Sequence, residues 1–423
     1  MSTIASLSFM VISGIAFFMF SKQVLVIRKN ILLGKDIAIN DQPLKRWRNV
    51  LMLAFGQKKM FRNPMVAILH LFVYVGFIVI NIELLEIVVD GILGTHRIFE
   101  PYLGSYYNLL INTFEILAAL VIIACIIFYS RRNIIKLKRF ISNDLNGWPQ
   151  TDANTILIIE VVLMSLFLTM NATDPNTHFV ISSYLQPLFN KLNLSTLNAI
   201  EQTSWWLHIL GIYAFMNYLP YSKHLHIILA FPNAYYAPLH SKGEMHNMVS
   251  VQNEVLYAMQ PELAPTGAAM PEKFGATDVM DLSWKNLMDA YSCTECGRCS
   301  AACPANMTGK LLSPRKIMMA TRDRLEVVGK NIKANKAFVD DGKTLLHDFI
   351  SVEELRACTT CNACVAECPV SISPLDIILE LRRSLVMEQS NAPTEWNGMF
   401  SNIENNFAPW KFAPDDRDAW TAQ

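Results

Sequence analysis

Five long apolar runs constrain the fold of this chain more than any other feature. They lie near residues 4–27, 64–89, 106–130, 153–171 and 204–230. A helix needs roughly 20 residues to cross a bilayer, and in lipid only a helix satisfies its own backbone within such a segment. The composition agrees, because 52% of the 423 residues are hydrophobic and only 17% are charged. The sequence predicts an all-α membrane bundle of five transmembrane helices over residues 1–230.

The basic residues between these runs predict how the bundle is oriented. The first loop is rich in bases, as is the third, whereas the second and fourth hold only Arg97 and Lys191. The rich loops contain Arg28, Lys29, Lys35, Lys45, Arg46, Arg48, Lys58, Lys59 and Arg62, then Arg131, Arg132, Lys136, Lys138 and Arg139. Loops of this kind stay in the cytoplasm. We therefore expect a multi-pass protein of a bacterial inner membrane, with its N-terminus outside and residues after 230 in the cytoplasm.

Eight of the nine cysteines form two copies of the pattern C-x2-C-x2-C-x3-C-P, CTECGRCSAACP and CTTCNACVAECP. This is the spacing of bacterial ferredoxins, in which the fourth cysteine of each run binds the other cluster. It predicts two [4Fe–4S] clusters, the first held by Cys293, Cys296, Cys299 and Cys368, the second by Cys358, Cys361, Cys364 and Cys303. Zinc is the competing interpretation, but four-cysteine zinc sites typically use two CxxC pairs. Two fully ligated clusters indicate single-electron transfer.

The cysteine runs define a mostly α-helical, ferredoxin-like domain over residues 281–390, which a linker (231–280) joins to the bundle. Ser313 and Pro314 have the character of an N-cap and first helical residue. The bases that follow, Arg315, Lys316, Arg322 and Arg324, are expected on a solvated face, although they could instead dock an acidic partner. Residues 391–423 form a Trp-rich tail with little helical period, which either binds a partner or folds back on its own domain.

Histidines within the apolar runs predict a haem. His208 and His226 are eighteen residues apart, so on one helix they share a face with about 27 Å of rise between them, while His224 faces elsewhere. His70 lies about two turns into the second helix, at the depth of His226. Two imidazoles on neighbouring helices suit a bis-histidine b-type haem. Packing or interfacial histidines are the alternative, but ionisable groups within a membrane are usually functional.

A second haem would need a partner for His208, and the residue ten after His70 is Ile80, which cannot ligate iron. One haem b at His70 and His226 is therefore expected, and His208 remains a possible second haem ligand, a quinone contact or a relic. Four carboxylates also fall within or near the runs, Glu83, Glu86, Glu115 and Glu160. They could serve a proton path or a quinone pocket, and Glu83 and Glu86 could instead lie at the outer water interface.

Two stretches resemble known families. SWWLHILGIYAFMNYLPYSKHLHIILAFPN resembles the last helix of the nitrate reductase gamma-subunit family of membrane cytochromes b, which carries two histidines eighteen apart. DLSWKNLMDAYSCTECGRCSAACPANMTGKLLSPRKI (281–317) is similar to the small iron–sulfur subunit of heterodisulfide reductases. Their fusion resembles the amino-terminal part of iron–sulfur electron-transfer-flavoprotein:quinone oxidoreductases. In the cytochrome family the second helix gives two ligands, whereas here it keeps His70 and has Ile80 in place of the outer one.

The resemblance implies a membrane-anchored electron-transfer subunit of a respiratory chain, passing electrons between a cytoplasmic partner, two [4Fe–4S] clusters, haem b and the quinone pool. Reduction of menaquinone or ubiquinone is the expected direction. Partners would be membrane lipid and a separate cysteine-rich subunit of the CCG type or an electron-transfer flavoprotein. A nucleic-acid partner is not expected, because net charge is zero and no basic face is evident. The alternative is an anchor and electron wire for a heterodisulfide reductase-like or hydroxy-acid oxidoreductase complex, without its own quinone site.

Overall fold

The computed structural model describes residues 3–175, 177–241, 243–265, 273–411, 413–416 and 418–422. These residues are largely helical and include no β-strand. The long helices of the first half are α1 (Thr3–Ile31), α2 (Pro64–Leu93), α3 (Ser105–Asn133), α4 (Trp148–Thr173) and α5 (Leu194–Tyr218). Each packs on the next, and α5 closes the ring against α1. The predicted all-α bundle is confirmed.

Four helices in the described part of the chain, α1 to α4, are long and apolar enough to cross a membrane. Helix α5 has the length but is not among them, because residues such as Glu201, Gln202 and Asn217 lower its hydropathy. It nevertheless completes the bundle, and its buried side includes His208. Four of the five predicted spans are thus supported, and the fifth crossing stays a prediction.

The predicted continuous helix over 204–230 is wrong. Helix α5 ends at Tyr218, and two 3-10 turns follow before α6 begins at His226 and runs to Tyr235. Pro220 lies in the first turn and has no N–H to donate. Ser222 is extended, and its hydroxyl accepts from the backbone N–H of His224 at 3.1 Å. His208 and His226 therefore lie on different helices, and the five-turn argument for a shared face fails.

The second half contains further helices. They are α7 (Val249–Met259), α8 (Trp284–Ser292), α9 (Pro314–Asn335), α10 (Pro374–Arg383) and α11 (Thr394–Asn406). Of these, α8, α9 and α10 bury residues in one apolar core, whereas α7 and α11 have none buried. Shorter helices occur in both halves, namely Pro43–Asn49, Glu100–Leu103 and Ser182–Leu185 in the first and Arg298–Ala301, Pro304–Met307, Val352–Arg356 and Ala363–Glu367 in the second. The fully buried core includes Leu282, Leu287, Ile317, Leu325, Ile377 and Leu381. Ser313 caps α9 as predicted, accepting from Lys316 N–H at 3.4 Å.

The bundle and the cluster domain pack directly against each other. Just beyond α1, Lys35 N–H donates to Leu282 O at 2.8 Å and Lys35 O accepts from Trp284 N–H at 3.0 Å. Within α1, the Asn30 amide donates to the Tyr291 hydroxyl at 2.9 Å. A Cβ on Gly329 would come within 2.3 Å of Asn30 Oδ1, so α9 and α1 approach as closely as glycine allows. The end of the bundle that bears this contact is called the near end below, and the opposite end the far end.

The predicted linker (231–280) and the predicted tail (391–423) both contain helices in the structure. The predicted linker at 231–280 begins inside α6 and contains α7, while its residues 242 and 266–272 lie outside the described part. The predicted tail without helical period instead contains α11, whose side chains Trp396, Phe400 and Ile403 are exposed. These three positions are four and three residues apart, so they share one face of α11.

Candidate functional site

The first cysteine run wraps a small cavity. Cys293 follows the end of α8, and the chain turns through left-handed backbone at Glu295 (φ 52°) and Gly297 (φ 73°). Cys293, Cys296, Cys299 and Cys368 all line this cavity. They are the four residues that the spacing assigns to the first cluster, so the structure brings that set together.

The second run repeats the same local geometry. Thr360 (φ 55°) and Asn362 (φ 60°) stand two and four residues after Cys358, as Glu295 and Gly297 do after Cys293. Burial raises the pKa of Cys364 to about 12, and the neighbouring sulfurs of Cys358, Cys303 and Cys361 also act to raise it. The crossed partner Cys303 is thus close to the second run.

Four thiols in each set suit a [4Fe–4S] cluster, in which each cysteine binds a different iron. Among the described residues, no three His, Cys, Asp or Glu side chains come together as ligands of one single metal ion. Backbone N–H groups already point at two of the sulfurs, from Thr360 to Cys358 at 3.4 Å and from Ile372 to Cys368 at 3.3 Å. Such donors favour the thiolate form that binds iron.

A cavity of about 370 Å³ lies between the near end of the bundle and the first cysteine run. Helix α2 contributes His70 and Tyr74, and the segment after α5 contributes His224 and His226. Cys296 and Arg298 of the cluster loop close the other side. One space therefore touches both the predicted haem ligands and the predicted first cluster, and it is called the near cavity below.

Both predicted haem ligands are held by their Nδ1 atoms. His70 Nδ1 bonds to Gln57 Oε1 at 3.0 Å, and His226 Nδ1 bonds to the carbonyl oxygen of Lys223 at 3.0 Å. The carbonyl can only accept, so His226 carries its proton on Nδ1 and keeps Nε2 for a metal. This is the usual arrangement of metal-binding histidines, whose other nitrogen is fixed by a second hydrogen bond.

His224 was predicted to face elsewhere, and this is wrong. Its ring lies 5.5 Å from that of His226, between centroids, and it also lines the near cavity. The 3-10 turn over Lys223–Leu225 causes this, because α-helical angles do not apply there. The break was detectable in the sequence as Pro220 followed by Ser222.

Arginines form the wall of the near cavity beside the cluster loop. Arg131, Arg132, Arg139 and Arg298 all line it. Phe140 lies between two of them, with its centroid 4.5 Å from Arg132 Cζ and 4.8 Å from Arg139 Cζ. Arg132 Nη1 and Arg139 Nε are buried without a hydrogen-bond partner in the described chain. Burial lowers the pKa of Arg139, and the surrounding arginines lower it further. Buried, unsatisfied donors of this kind suit an anionic group, such as the two carboxylates of a haem.

A second cavity, of about 90 Å³, lies in the core of the bundle and is called the core cavity below. His208 lines it and is 2% exposed, with Nδ1 bonded to Leu163 O at 2.9 Å. Ile80, Glu83 and Glu160 line it as well. His208 thus faces the position where Ile80 stands in place of a second ligand. Glu83 and Glu86 are both buried within the protein, and the alternative that they lie at the depth of the outer interface stays a prediction.

The solvated face predicted for the bases of α9 is wrong for its arginines, whereas the Lys316 side chain is 41% exposed. Arg315 and Arg324 are fully buried. Arg315 bonds to Asp144 at 2.7 Å, while Arg324 bonds to Asp278 and Asp341, each at 2.6 Å. These carboxylates come from distant segments, so helical periodicity could not reveal the pairs.

The remaining two bases of α9 are paired as well. Arg322 bonds to Glu295 at 2.9 Å, and Lys316 bonds to Glu354 at 2.7 Å. Glu295 also accepts from Lys223 at 2.5 Å. Lys223 directly precedes His224 in the segment after α5, which is called the histidine segment below. The Glu295 carboxylate therefore links the first cysteine loop to the wall of the near cavity.

The cysteine half of the chain matches a known protein family. Residues 292–372 match the 4Fe-4S dicluster domain family. The chain is 26% identical to the probable iron-sulfur-binding oxidoreductase FadF of Bacillus subtilis over 98% of its own length and 60% of that protein's. It is 26% identical to the EtfAB:quinone oxidoreductase of Syntrophomonas wolfei, over 92% and 56% of the two lengths. The chain thus spans less than two thirds of the length of these relatives. No solved structure matches.

Two shorter matches each cover a part of the chain. A probable membrane-anchored ferredoxin of Chromohalobacter salexigens is 30% identical over 38% of this chain and 24% of its own length. The predicted resemblance to heterodisulfide reductases is confirmed by a component of a CoB-CoM heterodisulfide reductase of Methanosarcina acetivorans, 35% identical over 24% of this chain and 49% of its own length. The matches support a membrane-associated iron–sulfur oxidoreductase component with an electron-transfer role. The resemblance to nitrate reductase gamma subunits stays a prediction.

Proposed function

We propose that this chain passes electrons between a cytoplasmic redox partner, two [4Fe–4S] clusters, one haem b and the quinone pool of a bacterial inner membrane. The observation that carries the proposal is the near cavity, which has His70 and His226 on one wall and the loop of Cys296 on another. An electron carrier in this cavity would lie next to the first cluster. The similarity to an EtfAB:quinone oxidoreductase supports the quinone as acceptor.

The clusters and the haem, when bound, supply the one-electron chemistry, and the chain's residues position and insulate them. Gln57 and the carbonyl of Lys223 orient the two imidazoles. Arg132 and Arg139 offer buried donors to the haem carboxylates. Lys59 Nζ donates to Cys368 O at 3.0 Å, so a positive charge lies beside the first cysteine set. A nearby cation favours the thiolate that iron requires.

Quinone reduction is the expected direction, and the near cavity is the proposed quinone site as well. The Tyr74 hydroxyl is buried there without a hydrogen-bond partner among the described residues. Tyr74 stands four residues after His70, so both point from the same face of α2. A quinone carbonyl beside the haem would accept the hydrogen bond that Tyr74 lacks.

The partner is proposed to be an electron-transfer flavoprotein or a cysteine-rich CCG subunit, docked on the cytoplasmic side. The exposed face of α11, formed by Trp396, Phe400 and Ile403, is the proposed contact within the tail. In this proposal residues 1–230 anchor the protein with the N-terminus outside, and residues 281–390 carry the clusters. The match to a heterodisulfide reductase component favours a second candidate, an anchor and wire for a complex of that kind without its own quinone site.

The ligand assignment is tested by His70→Ala and His226→Ala. Each variant should lose the haem absorbance while the iron–sulfur EPR signals persist. His178→Ala is the matched control, because His178 is exposed at the far end. His224→Ala should keep the haem and thereby separate His224 from His226. Intact haem in both ligand variants would disprove the assignment.

The quinone site is tested separately with Tyr74→Phe, which removes only the hydroxyl. The variant should bind haem normally but reduce quinone at least about tenfold more slowly, the loss expected when one hydrogen bond of about 1.4 kcal/mol is removed. A wild-type protein that reduces no quinone, with haem and clusters intact, would favour the anchor-and-wire candidate.

A further inference from the structure

The core cavity has polar groups that the electron path does not use. Glu83, Glu160 and His208 face it from α2, α4 and α5, among otherwise apolar side chains. His208 donates from Nδ1 to a carbonyl, which leaves Nε2 as a proton acceptor. Glu83 Oε2 is buried and has no hydrogen-bond partner in the described chain. Titratable groups on a membrane-buried surface are expensive and commonly belong to ion or proton pathways.

The core cavity adjoins the near cavity. Glu160, Val73 and Phe77 line both of them, so these side chains form the partition. Val73 and Phe77 are apolar, and Glu160 is the member of this partition that can carry a proton. A proton crossing from one cavity to the other therefore has Glu160 as its carrier.

Glu83 lines the core cavity and stands three residues before Glu86 on α2, in the direction of the far end. Glu86 accepts from the Tyr107 hydroxyl at 2.9 Å, and Tyr107 accepts from Arg97 at 3.2 Å. Arg97 donates to Asp174 at 3.1 Å, and Asp174 contacts His96 at 3.4 Å. The His96 side chain is 60% exposed, so the hydrogen-bonded series ends at the surface. Arg97 keeps its own proton and orients its neighbours, so a proton entering at His96 passes it by way of water.

Water can complete the gaps between these groups. A buried water needs about 10–15 Å³ of such space and two to four polar partners. The core cavity offers about 90 Å³, together with the carboxyls of Glu83 and Glu160 and the imidazole of His208. It is therefore large enough and polar enough for a short chain of waters.

We propose that Glu160, His208 and Glu83 form a proton path from the near cavity to the far end of the bundle, opening at His96. The proposal rests on the proposed function for its use: a quinone that gains two electrons in the near cavity also takes up two protons, and these arrive from the far end. Electrons then enter from the cluster side and protons from the opposite side, so quinol formation moves charge across the bundle.

The test uses the full chain, with its cofactors, in phospholipid vesicles that contain menaquinone. Titanium(III) citrate outside does not cross the bilayer, so it reduces only molecules whose cluster domain faces outward, and the far end of those molecules faces the lumen. A pH dye trapped in the lumen, with potassium and valinomycin to discharge the potential, reports proton uptake. The wild type should turn the lumen alkaline in step with quinol formation. Glu160→Gln and Glu83→Gln should reduce this change at least tenfold while haem reduction keeps its rate.

Glu100→Gln is the matched control, since Glu100 is exposed at the far end and outside the series, and it should behave as wild type. Quinol formation in the wild type without a lumenal pH change would overturn the proposal, as would wild-type uptake in both glutamine variants. If the wild type forms no quinol, the proposed quinone function fails, and infrared spectroscopy then decides on the path alone. The infrared bands of the two carboxyls are assigned as those that vanish in Glu83→Gln or Glu160→Gln. In the wild type these bands should shift promptly in D₂O, because the proposed path exchanges protons with solvent. Bands that resist exchange would overturn the path.

Discussion

The core cavity of the bundle differs from the cluster domain in how it handles buried charge, although the far end of the bundle also holds a buried pair, Arg97 with Asp174. In the cluster domain Arg315, Arg322 and Arg324 each contact at least one carboxylate. In the bundle, Glu83 and Glu160 line an apolar cavity, and Glu83 retains a buried oxygen without a hydrogen-bond partner in the described chain. Paired charges fix the relative positions of segments distant in sequence, whereas a carboxyl facing a cavity is available for chemistry.

The near cavity lies where the two regions meet and combines both kinds of group. Glu295 is paired twice, with Lys223 from the histidine segment and Arg322 from α9. Its pKa is lowered overall, because these two cations outweigh the opposing effect of burial. The Tyr74 hydroxyl and Arg132 Nη1, by contrast, are unsatisfied within the described chain. The cluster side is thus held rigidly, and unsatisfied groups face the space where a cofactor would bind.

The largest expected effect tests the crossed cysteine sets. Cys368→Ser should remove the cluster of Cys293, Cys296 and Cys299, because its sulfur lies in their cavity. The cluster beside Cys358 should persist, so about half of the bound iron is lost. Iron analysis and EPR of the reduced protein measure this. Cys303→Ser is the mirror-image variant, and loss of the other cluster in either variant would contradict the assignment.

The next effect tests whether paired charges hold the cluster domain. Arg324→Met leaves Asp278 and Asp341 without their shared cation. Removing one partner of a buried ion pair costs about 3–5 kcal/mol, and the lower end applies because both aspartates are partly exposed. The temperature at which cluster absorbance is lost should fall by several degrees. Lys316→Met is the control, since Lys316 is 41% exposed and its pair should contribute no more than about 1 kcal/mol.

Sequence reasoning predicted the elements that local pattern controls. The apolar length of α1 to α4, the Ser313 cap and the paired cysteine spacing each depend on neighbouring residues alone. It failed where tertiary contacts decide the outcome. The burial of Arg324 depends on Asp278 and Asp341, which lie 46 and 17 residues away. The position of His224 follows from a helix break, and a fixed helical angle carried through Pro220 placed it wrongly.

A smaller effect on stability is expected for Glu83→Gln, which changes a carboxyl in the bundle instead of an ion pair in the cluster domain. Glu83→Gln removes an acidic group that lacks a hydrogen bond at Oε2, so no ion pair is broken. Thermal stability should change by less than about 1 kcal/mol in either direction, although proton uptake is lost. The same assay used for Arg324→Met measures it. A loss of stability as large as that of Arg324→Met would show that Glu83 is a structural anchor and would remove the contrast between the two regions.

The smallest effect concerns His96, at the far end of the bundle. Its hydrogen bond to Asp174 is the main cause that raises its pKa above the ordinary value of 6.5. A histidine whose pKa is higher in the folded state contributes stability that is fully present below the unfolded pKa and is lost as pH rises through the folded pKa. The melting temperature of the wild type should therefore exceed that of His96→Gln below about pH 6.5, and the difference should disappear in alkaline buffer. Because the His96 side chain is 60% exposed, the difference should be small and should shrink with added salt. A difference that grows with pH would mean that Asp174 does not hold the protonated form, and the surface opening of the path would have to lie elsewhere.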